Sequence, residues 1–389
     1  MRKGWEYKKL GEVCEVVTGT TPKTNIPEYW GKGHYWVTPA ELNDTTVYID
    51  KTERQITDEA LSKTKLRLLP VGTVLLSSRA PIGKVAIANA EMYCNQGFKN
   101  CICSEAIYNK YLFYFLRLKK DYLNSLGRGA TFKEISKSIV ESIKIPLPPK
   151  STQLAIVSEL DKINELIRLK KEQLKDFDNL AQSLFYEMFG DPVENEKGWE
   201  VKKLNDICDV RDGTHDSPKY LQNSEYILIT SKNIVNGSID FENVNYISEE
   251  DYIKINKRSK VDNGDIIMPM IGTIGNPIIA HIDGTHKFCI KNVALIKFLA
   301  DSTVNNMFIV NLMRCSSFSS YLLNQNKGGT QKFVALGAIR KLPIPLPPLS
   351  LQRLFAQRIE QIEREKSEVQ KSIQDLETLL ASRMQYWFE

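Results

Sequence analysis

Two sequence patterns occur twice in the 389-residue chain, at nearly the same offset. Gly4-Trp5-Glu6-Tyr7-Lys8-Lys9-Leu10 returns as Gly198-Trp199-Glu200-Val201-Lys202-Lys203-Leu204, an offset of 194 residues. Ile145-Pro146-Leu147-Pro148-Pro149 returns as Ile344-Pro345-Leu346-Pro347-Pro348, an offset of 199 residues. Because solenoid repeats have periods of only about 20–50 residues, this spacing indicates one whole folded unit that was duplicated and then diverged.

The duplication predicts four segments along the chain. They are a first domain at residues 1–149, a helix and hinge at 150–197, a second domain at 198–348 and a C-terminal helix at 349–389. In the two large segments, short apolar runs broken by Gly, Pro, Asn and Asp predict strands, at 71–76, 84–88, 265–268 and 292–296. Helical patterns are fewer, at 109–120 and 304–324. The predicted fold class is therefore α+β, with two duplicated mixed domains of about 150 residues each.

A heptad pattern of apolar residues follows each Pro-Pro pair. The predicted seam positions are Ile156, Leu160, Ile163, Ile167, Leu174, Phe177 and Leu184 in the first helix, and Phe355, Ile359, Ile362, Val369, Ile373, Leu376 and Leu380 in the second. Lys170 and Lys366 interrupt the two seams at different places. Two seams in the same phase predict that the helices pair as a coiled coil between the domains, although each helix docking on its own domain is the alternative. Symmetric placement of the domains would require an antiparallel pair.

Charge and composition limit the class of protein. Residues 1–150 carry 23 Lys and Arg against 15 Asp and Glu, whereas residues 151–197 carry 6 against 10. A surface that binds a polyanion is therefore expected on the large segments rather than on the connecting helix. No apolar run is long enough to span a membrane, and the N-terminus lacks the apolar core of a signal peptide, so we expect a cytoplasmic protein. Seven cysteines without a Cys-x-x-Cys pair predict neither a disulfide framework nor a zinc site.

Motifs for catalysis are missing from the sequence. The stretch that ends at Lys84 lacks the upstream glycine and the Ser or Thr of a phosphate-binding loop, and no dinucleotide-binding fingerprint is present. The four histidines lie outside any metal-ligand spacing. The acidic stretch 191–197 resembles a nuclease cluster only superficially, because no strand surrounds it. We therefore predict no catalytic residue, no metal and no cofactor in this chain.

Loops suited to nucleic acid recur in both large segments. They combine glycine with hydroxyl, amide and cationic side chains, which bond phosphates and base edges. The candidate DNA-binding residues of the first segment are Thr20, Thr21, Lys23, Thr38, Ser77, Ser78, Arg79, Lys84, Asn95, Gln96, Lys99, Arg128, Thr131 and Lys133. Those of the second are Arg211, Thr214, His215, Lys219, Thr230, Ser231, Lys232, Asn233, Lys291, Asn292, Lys327, Thr330, Gln331 and Lys332. Arg79 and Lys84 align with Ile271 and Asn276, so the two copies are expected to recognise different sequences.

The order of these motifs resembles a specificity subunit of a type I restriction-modification enzyme. The duplicated Gly-Trp-Glu start, the Pro-Leu-Pro-Pro exits into heptad helices and the hinge at 183–192 carry the resemblance over essentially the whole chain. The loops at 19–22 and 95–97 resemble one subtype of target recognition domain, and those at 211–216 and 328–332 resemble another.

This resemblance implies a role in phage defence. Two target recognition domains would each bind one half of an asymmetric bipartite site in double-stranded DNA, held apart by the paired helices. Two modification subunits would dock on the helices and methylate adenine with S-adenosylmethionine. Restriction subunits that use ATP and Mg could join them. Two alternatives stay open, a standalone nuclease or methyltransferase and a protein-binding coiled-coil scaffold, and salt-dependent DNA affinity would separate the scaffold from the DNA-binding hypothesis.

Overall fold

The computed structural model describes residues 4–127, 133–235, 237–272, 274–299, 302–324 and 333–389. The chain divides into two compact units. Unit 1 comprises residues 1–171 and 371–389, and unit 2 comprises residues 172–370. Both unit boundaries therefore fall inside the two long helices. Among the described helices, none is both long and apolar enough to cross a membrane.

Unit 1 is a mixed α+β domain followed by helix. Its strands are β1 (Glu6–Lys9), β2 (Cys14–Thr18), β3 (Trp30–Val37), β4 (Tyr48–Ile49), β5 (Gln55–Ile56), β6 (Val74–Leu76), β7 (Val85–Ala88), β8 (Met92–Cys94), β9 (Lys99–Cys103) and β10 (Lys144–Leu147). Its short helices are α1 (Leu10–Val13), α2 (Asp58–Lys63), α3 (Asn109–Leu118), α4 (Lys120–Ser125) and α5 (Lys137–Ser142), and α6 (Lys150–Phe189) continues into unit 2. The sheets have the orders β2-β9-β6-β7-β4, β5-β3-β8 and β1-β10.

Unit 2 repeats this plan with changes. Its strands are β11 (Glu200–Lys203), β12 (Asp209–Asp212), β13 (Tyr226–Ile229), β14 (Ile234–Val235), β15 (Ser238–Ile239), β16 (Asn245–Ile247), β17 (Ile266–Pro269), β18 (Ile278–Ile279), β19 (Lys287–Ile290), β20 (Val293–Lys297) and β21 (Pro343–Leu346). Its helices are α7 (Leu204–Ile207), α8 (Glu249–Ser259), α9 (Asn306–Arg314), α10 (Ser316–Asn324), α11 (Leu336–Arg340) and α12 (Leu349–Phe388), the last of which ends in unit 1. The sheets have the orders β12-β20-β17-β18, β16-β13-β19, β11-β21 and β14-β15.

The two duplicated sequence patterns are hydrogen-bonded to each other within each unit. β1 and β10 pair antiparallel with Glu6 opposite Leu147, and β11 and β21 pair with Glu200 opposite Leu346. The first strand of each domain is therefore fixed to the last strand before the long helix.

The central strands also match between the units. The antiparallel pair β2 and β9 corresponds to β12 and β20, and the parallel pair β3 and β8 corresponds to β13 and β19. Gly72 and Gly264, which precede equivalent strands, both have a positive φ, and each carbonyl oxygen accepts a hydrogen bond from an asparagine side chain, Asn109 or Asn306, at 3.0 Å. The predicted duplication of a mixed fold is confirmed.

The two long helices run antiparallel, as predicted. In unit 1, Glu159 of α6 bonds Arg383 of α12, while Lys171 further along α6 bonds Glu377, which precedes Arg383 in the chain. In unit 2, Lys366 Nζ donates to Asp178 Oδ1 at 2.8 Å. The bonded residue of α12 has a lower number the further along α6 its partner lies, so the two helices run in opposite directions.

Apolar residues at the predicted seam are the less exposed ones of each helix. Ile156, Leu160, Ile163 and Ile167 are buried in α6, as are Phe355, Ile359, Ile362, Val369 and Ile373 in α12. Leu174, Phe177, Leu184, Leu376 and Leu380 are half-buried. Burial by itself would lower the pKa of Lys366 within the seam, but hydrogen bonds to Asp178 and Glu363 outweigh burial and raise this pKa above its ordinary value.

Three phenylalanines missed by the heptad pattern are buried at the helix ends. Phe185 and Phe189 lie in the core of unit 2, where both rings contact Phe355, and Phe388 lies in the core of unit 1 against Tyr111. At these ends the helix packs against a folded domain as well as against the other helix. The buried face is therefore wider than an a/d seam.

A buried glutamine fixes the start of each long helix. Gln153 is fully buried and donates from Nε2 to the carbonyl oxygens of Pro148 and Ala106, both at 2.9 Å. Gln352 is equally buried and donates to the carbonyl oxygen of Pro347 at 2.8 Å. These bonds satisfy carbonyl groups that would otherwise be buried without a partner where the chain turns from the last strand into the helix.

The two predicted helical stretches of the domains are each interrupted. Residues 109–120 lie in α3 and the start of α4, and the stretch predicted from residue 304 begins at Asn306 and breaks between α9 and α10. Cys315, with φ −57° and ψ 136°, leaves the helical region at this break. The periodicity therefore predicts the apolar face but not the change of direction between two short helices.

Candidate nucleic-acid interface

A glycine brings two candidate loops together in unit 1. The amide of Thr20, next to Gly19, donates to the carbonyl oxygen of Cys94 at 2.9 Å, and Thr21 Oγ1 bonds the side-chain oxygen of Gln96. A Cβ at Gly19 would overlap the carbonyl oxygen of Asn95. Only a residue without a side chain permits this approach.

Unit 2 repeats the arrangement with different side chains. The amide of Thr214 donates to the carbonyl oxygen of Ile290 at 3.1 Å, and a Cβ at Gly213 would overlap that same oxygen. The contact across the two loops is now His215 Nδ1 to Asn292 Oδ1, at 3.1 Å. The backbone framework is thus common to both units, whereas the side chains on it differ.

Gly213→Ala is expected to lower the free energy of unfolding by about 1–3 kcal/mol, since the new methyl group forces the two loops apart. Urea unfolding measures this loss. Gly337→Ala is the matched control, because a Cβ at Gly337 meets no atom within 4 Å, and its stability should stay within about 1 kcal/mol of the parent. Equal unfolding midpoints for Gly213→Ala and the parent chain would contradict the close approach.

A second loop is closed by a capping box in each unit. In unit 1, the amide and Oγ1 of Thr38 donate to Glu41 Oε2, at 2.6 and 3.0 Å. In unit 2, the amide and Oγ1 of Thr230 donate to Asn233 Oδ1, at 3.0 and 2.9 Å. Both threonine hydroxyls are therefore engaged within the loop, so these two candidates maintain the loop shape.

The candidate residues differ in how far they face solvent. The exposed ones are Thr20, Lys23, Arg79, Gln96, Lys133, His215, Lys219 and Lys232. The half-buried ones are Thr21, Thr38, Lys84, Asn95, Arg211, Thr214, Thr230, Ser231 and Asn292. The buried ones are Ser77, Ser78, Lys99, Asn233 and Lys291. Arg128, Thr131, Lys327, Thr330, Gln331 and Lys332 lie outside the described residues.

Burial argues against direct DNA contact by the five buried candidates, Ser77, Ser78, Lys99, Asn233 and Lys291. Ser77 Oγ donates to the carbonyl oxygen of Pro81 at 2.8 Å and accepts from the amide of Lys84 at 2.8 Å. In unit 2, Lys291 Nζ donates to Ser217 Oγ at 2.6 Å. These polar groups hold neighbouring loops in place. Sequence alone could not separate them from the exposed candidates, because the residue types are the same.

Carboxylates beside the candidate cations are the main feature that the sequence-based list missed. In unit 1, Glu134 accepts from Lys99 Nζ at 3.0 Å and from Arg79 Nε at 2.9 Å. Burial by itself would raise the pKa of Glu134, but these hydrogen bonds outweigh it and lower the pKa below its ordinary value.

In unit 2, the buried carboxylate of Asp212 bonds His215 Nε2 at 2.8 Å and also Arg258, a cation of α8 absent from the predicted set. Arg211 is held by Asp209, with Nε to Oδ2 at 2.8 Å. The side chains of Arg211, His215 and Arg258 are therefore each oriented by a carboxylate of unit 2. Among the described residues, no group of three His, Cys, Asp or Glu side chains could hold a metal ion.

A family model gives the class of protein. The model described as "Type I restriction modification DNA specificity domain" matches residues 2–176 and again residues 196–378. The chain is thus a tandem of two DNA specificity domains, in agreement with the structural duplication. Because the matches cover most of the chain, the protein belongs to the type I restriction-modification DNA specificity family.

Individual relatives agree with this assignment. The type I restriction enzyme MjaIX specificity subunit of Methanocaldococcus jannaschii is 33% identical over 380 residues, covering 91% of this chain and 85% of that protein. The EcoR124I/EcoR124II specificity subunit of Escherichia coli is 32% identical over 168 residues, covering 41% of each chain.

Solved structures show the same fold. A chain from a structural study of assembly and conformational transition in the type I restriction-modification system superposes with a TM-score of 0.64 at 18% identity, covering 99% of this chain and 97% of that one. The specificity subunit of M. genitalium superposes with a TM-score of 0.53 at 14% identity, covering 99% and 96%.

Proposed function

We propose that unit 1 and unit 2 each recognise one half of an asymmetric bipartite site in double-stranded DNA, and that this chain selects the site for a type I restriction-modification complex. The observation that carries the proposal is the repeated loop framework with different side chains. Thr21 and Gln96 meet in unit 1, where His215 and Asn292 meet in unit 2. A common backbone with exchanged hydrogen-bonding groups suits two related domains that distinguish different bases.

In this proposal the chain recognises the DNA site, and partner subunits carry out methylation and cleavage of the DNA. Two modification subunits would bind S-adenosylmethionine and methylate adenine, and restriction subunits would use ATP and Mg to translocate and cleave DNA in the cytoplasm. Leu154, Leu166 and Leu169 of α6 are 47%, 48% and 46% exposed, which offers apolar surface for a subunit to cover. The excess of Lys and Arg in residues 1–150 favours DNA as the ligand of unit 1.

Exchanging residues 198–348 for the equivalent domain of a relative should change one half of the methylated motif and leave the other half unchanged. The physical reason is that the loops of each unit are held by contacts within that unit. The exchanged chain is assembled with its modification subunits, and methylation-sensitive sequencing of a random-site DNA library gives the motif. Simultaneous change of both halves would contradict independent recognition.

Two controls test the remaining alternatives. The purified chain without modification subunits should transfer no methyl groups, and transfer by the chain alone would favour a standalone enzyme. DNA affinity of the assembled complex should fall by roughly 10³–10⁵ between 50 and 200 mM salt if 6–10 phosphates are contacted. A complex that assembles but has no measurable, salt-dependent DNA affinity would favour the protein-binding scaffold.

A further inference from the structure

Arg79 is an exposed arginine whose guanidinium group is held by a hydrogen bond at Nε. Its Nε donates to Glu134 Oε2 at 2.9 Å, and Glu134 is its only hydrogen-bond partner among the described residues. The side chain is 45% exposed. The two terminal nitrogens of the guanidinium therefore have no partner in the part of the chain that the structure describes, and they remain available to a ligand.

Glu134 is held in turn by buried groups. Its second oxygen accepts from Lys99 Nζ at 3.0 Å, and the Lys99 side chain is only 7% exposed. Lys99 also donates to Ser78 Oγ at 3.3 Å. The backbones of Arg79 and Glu134 form a β-bridge, and the amide of Ile135 donates to the carbonyl oxygen of Ser78 at 3.0 Å. Both the arginine and its carboxylate are thus attached to a fixed framework.

The second copy shows that the fold does not require this charged cluster. Ile271 and Phe333 form the corresponding β-bridge in unit 2, with no ionisable group on either side chain. Partly exposed ion pairs contribute little to stability in general. An oriented arginine that one copy has and the other lacks, in the same backbone setting, is therefore better explained by recognition than by folding.

We infer that Arg79 recognises a guanine in the half-site bound by unit 1 and that Glu134 is its positioning residue. Guanine presents two acceptors, N7 and O6, in the major groove, and a guanidinium with two parallel N–H donors matches them. A carboxylate bonded to Nε leaves both terminal nitrogens for the base and keeps the planar group in one orientation. Ile271 offers no donor, so the corresponding position of unit 2 recognises no guanine in this way. This inference rests on the proposed function.

The test compares variants in the chain assembled with its modification subunits, using a DNA library randomised over both half-sites. Arg79→Ala and Arg79→Lys should each relax one guanine position of the unit 1 half-site, by roughly 5- to 150-fold in preference over the other bases. Glu134→Gln should relax the same position to a smaller extent, because the amide holds the guanidinium less firmly. The unit 2 half-site should stay unchanged in all three variants, which also shows that the complex has folded and assembled.

Two further variants separate base recognition from charge. Lys133→Ala removes an adjacent exposed cation that has no such carboxylate partner among the described residues, and should weaken binding to all sites alike, as expected of a phosphate contact. Arg67→Ala removes another arginine of unit 1, paired with Glu15 at 59% and 56% side-chain exposure, and should leave the motif unchanged.

An unchanged motif, a uniform loss for Arg79→Ala like that of Lys133→Ala, or relaxation at a position other than guanine would overturn the assignment of Arg79. Wild-type specificity in Glu134→Gln, with relaxation in Arg79→Ala, would overturn the positioning role. In each of these cases a persistent bipartite motif keeps the proposed function, whereas a parent complex that methylates no bipartite motif would refute that function itself.

Discussion

Phe355→Ala is expected to lower the free energy of unfolding of unit 2 by about 3–5 kcal/mol. Phe355 is 0% exposed, and its ring lies 5.6 Å from that of Phe185 and 5.2 Å from that of Phe189. Truncation therefore leaves a cavity where the two long helices and the domain core meet. Urea unfolding followed by circular dichroism measures the loss.

Leu354→Ala provides the control on the same helix. Leu354 is adjacent to Phe355 but 43% exposed, so its replacement should cost less than about 1 kcal/mol. If Phe355→Ala also costs less than about 1 kcal/mol, Phe355 does not join the helix ends to the core of unit 2. A loss of DNA binding at temperatures where the variant is folded would show a role beyond stability.

Insertion of residues into both long helices should have the largest effect on DNA binding. The repeat offset pairs Leu174 with Ile373, but the antiparallel contacts place a different residue opposite Leu174. Asp178 bonds Lys366, so Leu174, one turn earlier, lies opposite a position one turn after Lys366, near Gln370. Insertions after Leu174 and after Val369 therefore lengthen the two helices at facing positions.

Seven residues inserted at both places should preserve the seam and add roughly 10 Å to the pair. The spacer between the two half-sites should then lengthen by about three base pairs, at ~3.4 Å each, with both half-site sequences unchanged. Three inserted residues should rotate the apolar seam away from its partner and abolish binding or folding. The spacer is measured by sequencing the methylated motif, and an unchanged spacer in a folded, active heptad variant would show that the helix pair does not set the distance.

The sequence predicts those features that depend on residues close together in the chain. The heptad pattern predicts both long helices, because the a/d spacing is a local property of each helix. Two such seams in a duplicated chain predict that the helices pair in antiparallel orientation. Strands β6, β7, β17 and β20 are predicted to within three residues, since each is a short apolar run beside a glycine, proline or polar residue.

Apart from the helix pairing, contacts between residues distant in the chain have no repeating local pattern and could not be predicted. The bond between Arg79 and Glu134 links positions 55 residues apart, and nothing in the local pattern distinguishes buried Lys99 from exposed Lys133. Phe185, Phe189 and Phe388 lie outside the seam because the partner surface changes at the helix ends. Sequence alone therefore could not separate the candidate side chains that support a loop from those that face solvent.

The division of the chain between the units has a consequence for its synthesis. Unit 2 uses one uninterrupted stretch, residues 172–370, whereas unit 1 joins residues 1–171 to 371–389. Phe388, in the core of unit 1, leaves the ribosome after the whole of unit 2. Domains generally fold as units during synthesis, so here the N-terminal domain gains its complete core only after the second domain has been made. A chain that stopped near residue 370 would have all of unit 2 but an incomplete unit 1, and the half-site lost first would be the one assigned to the N-terminal domain.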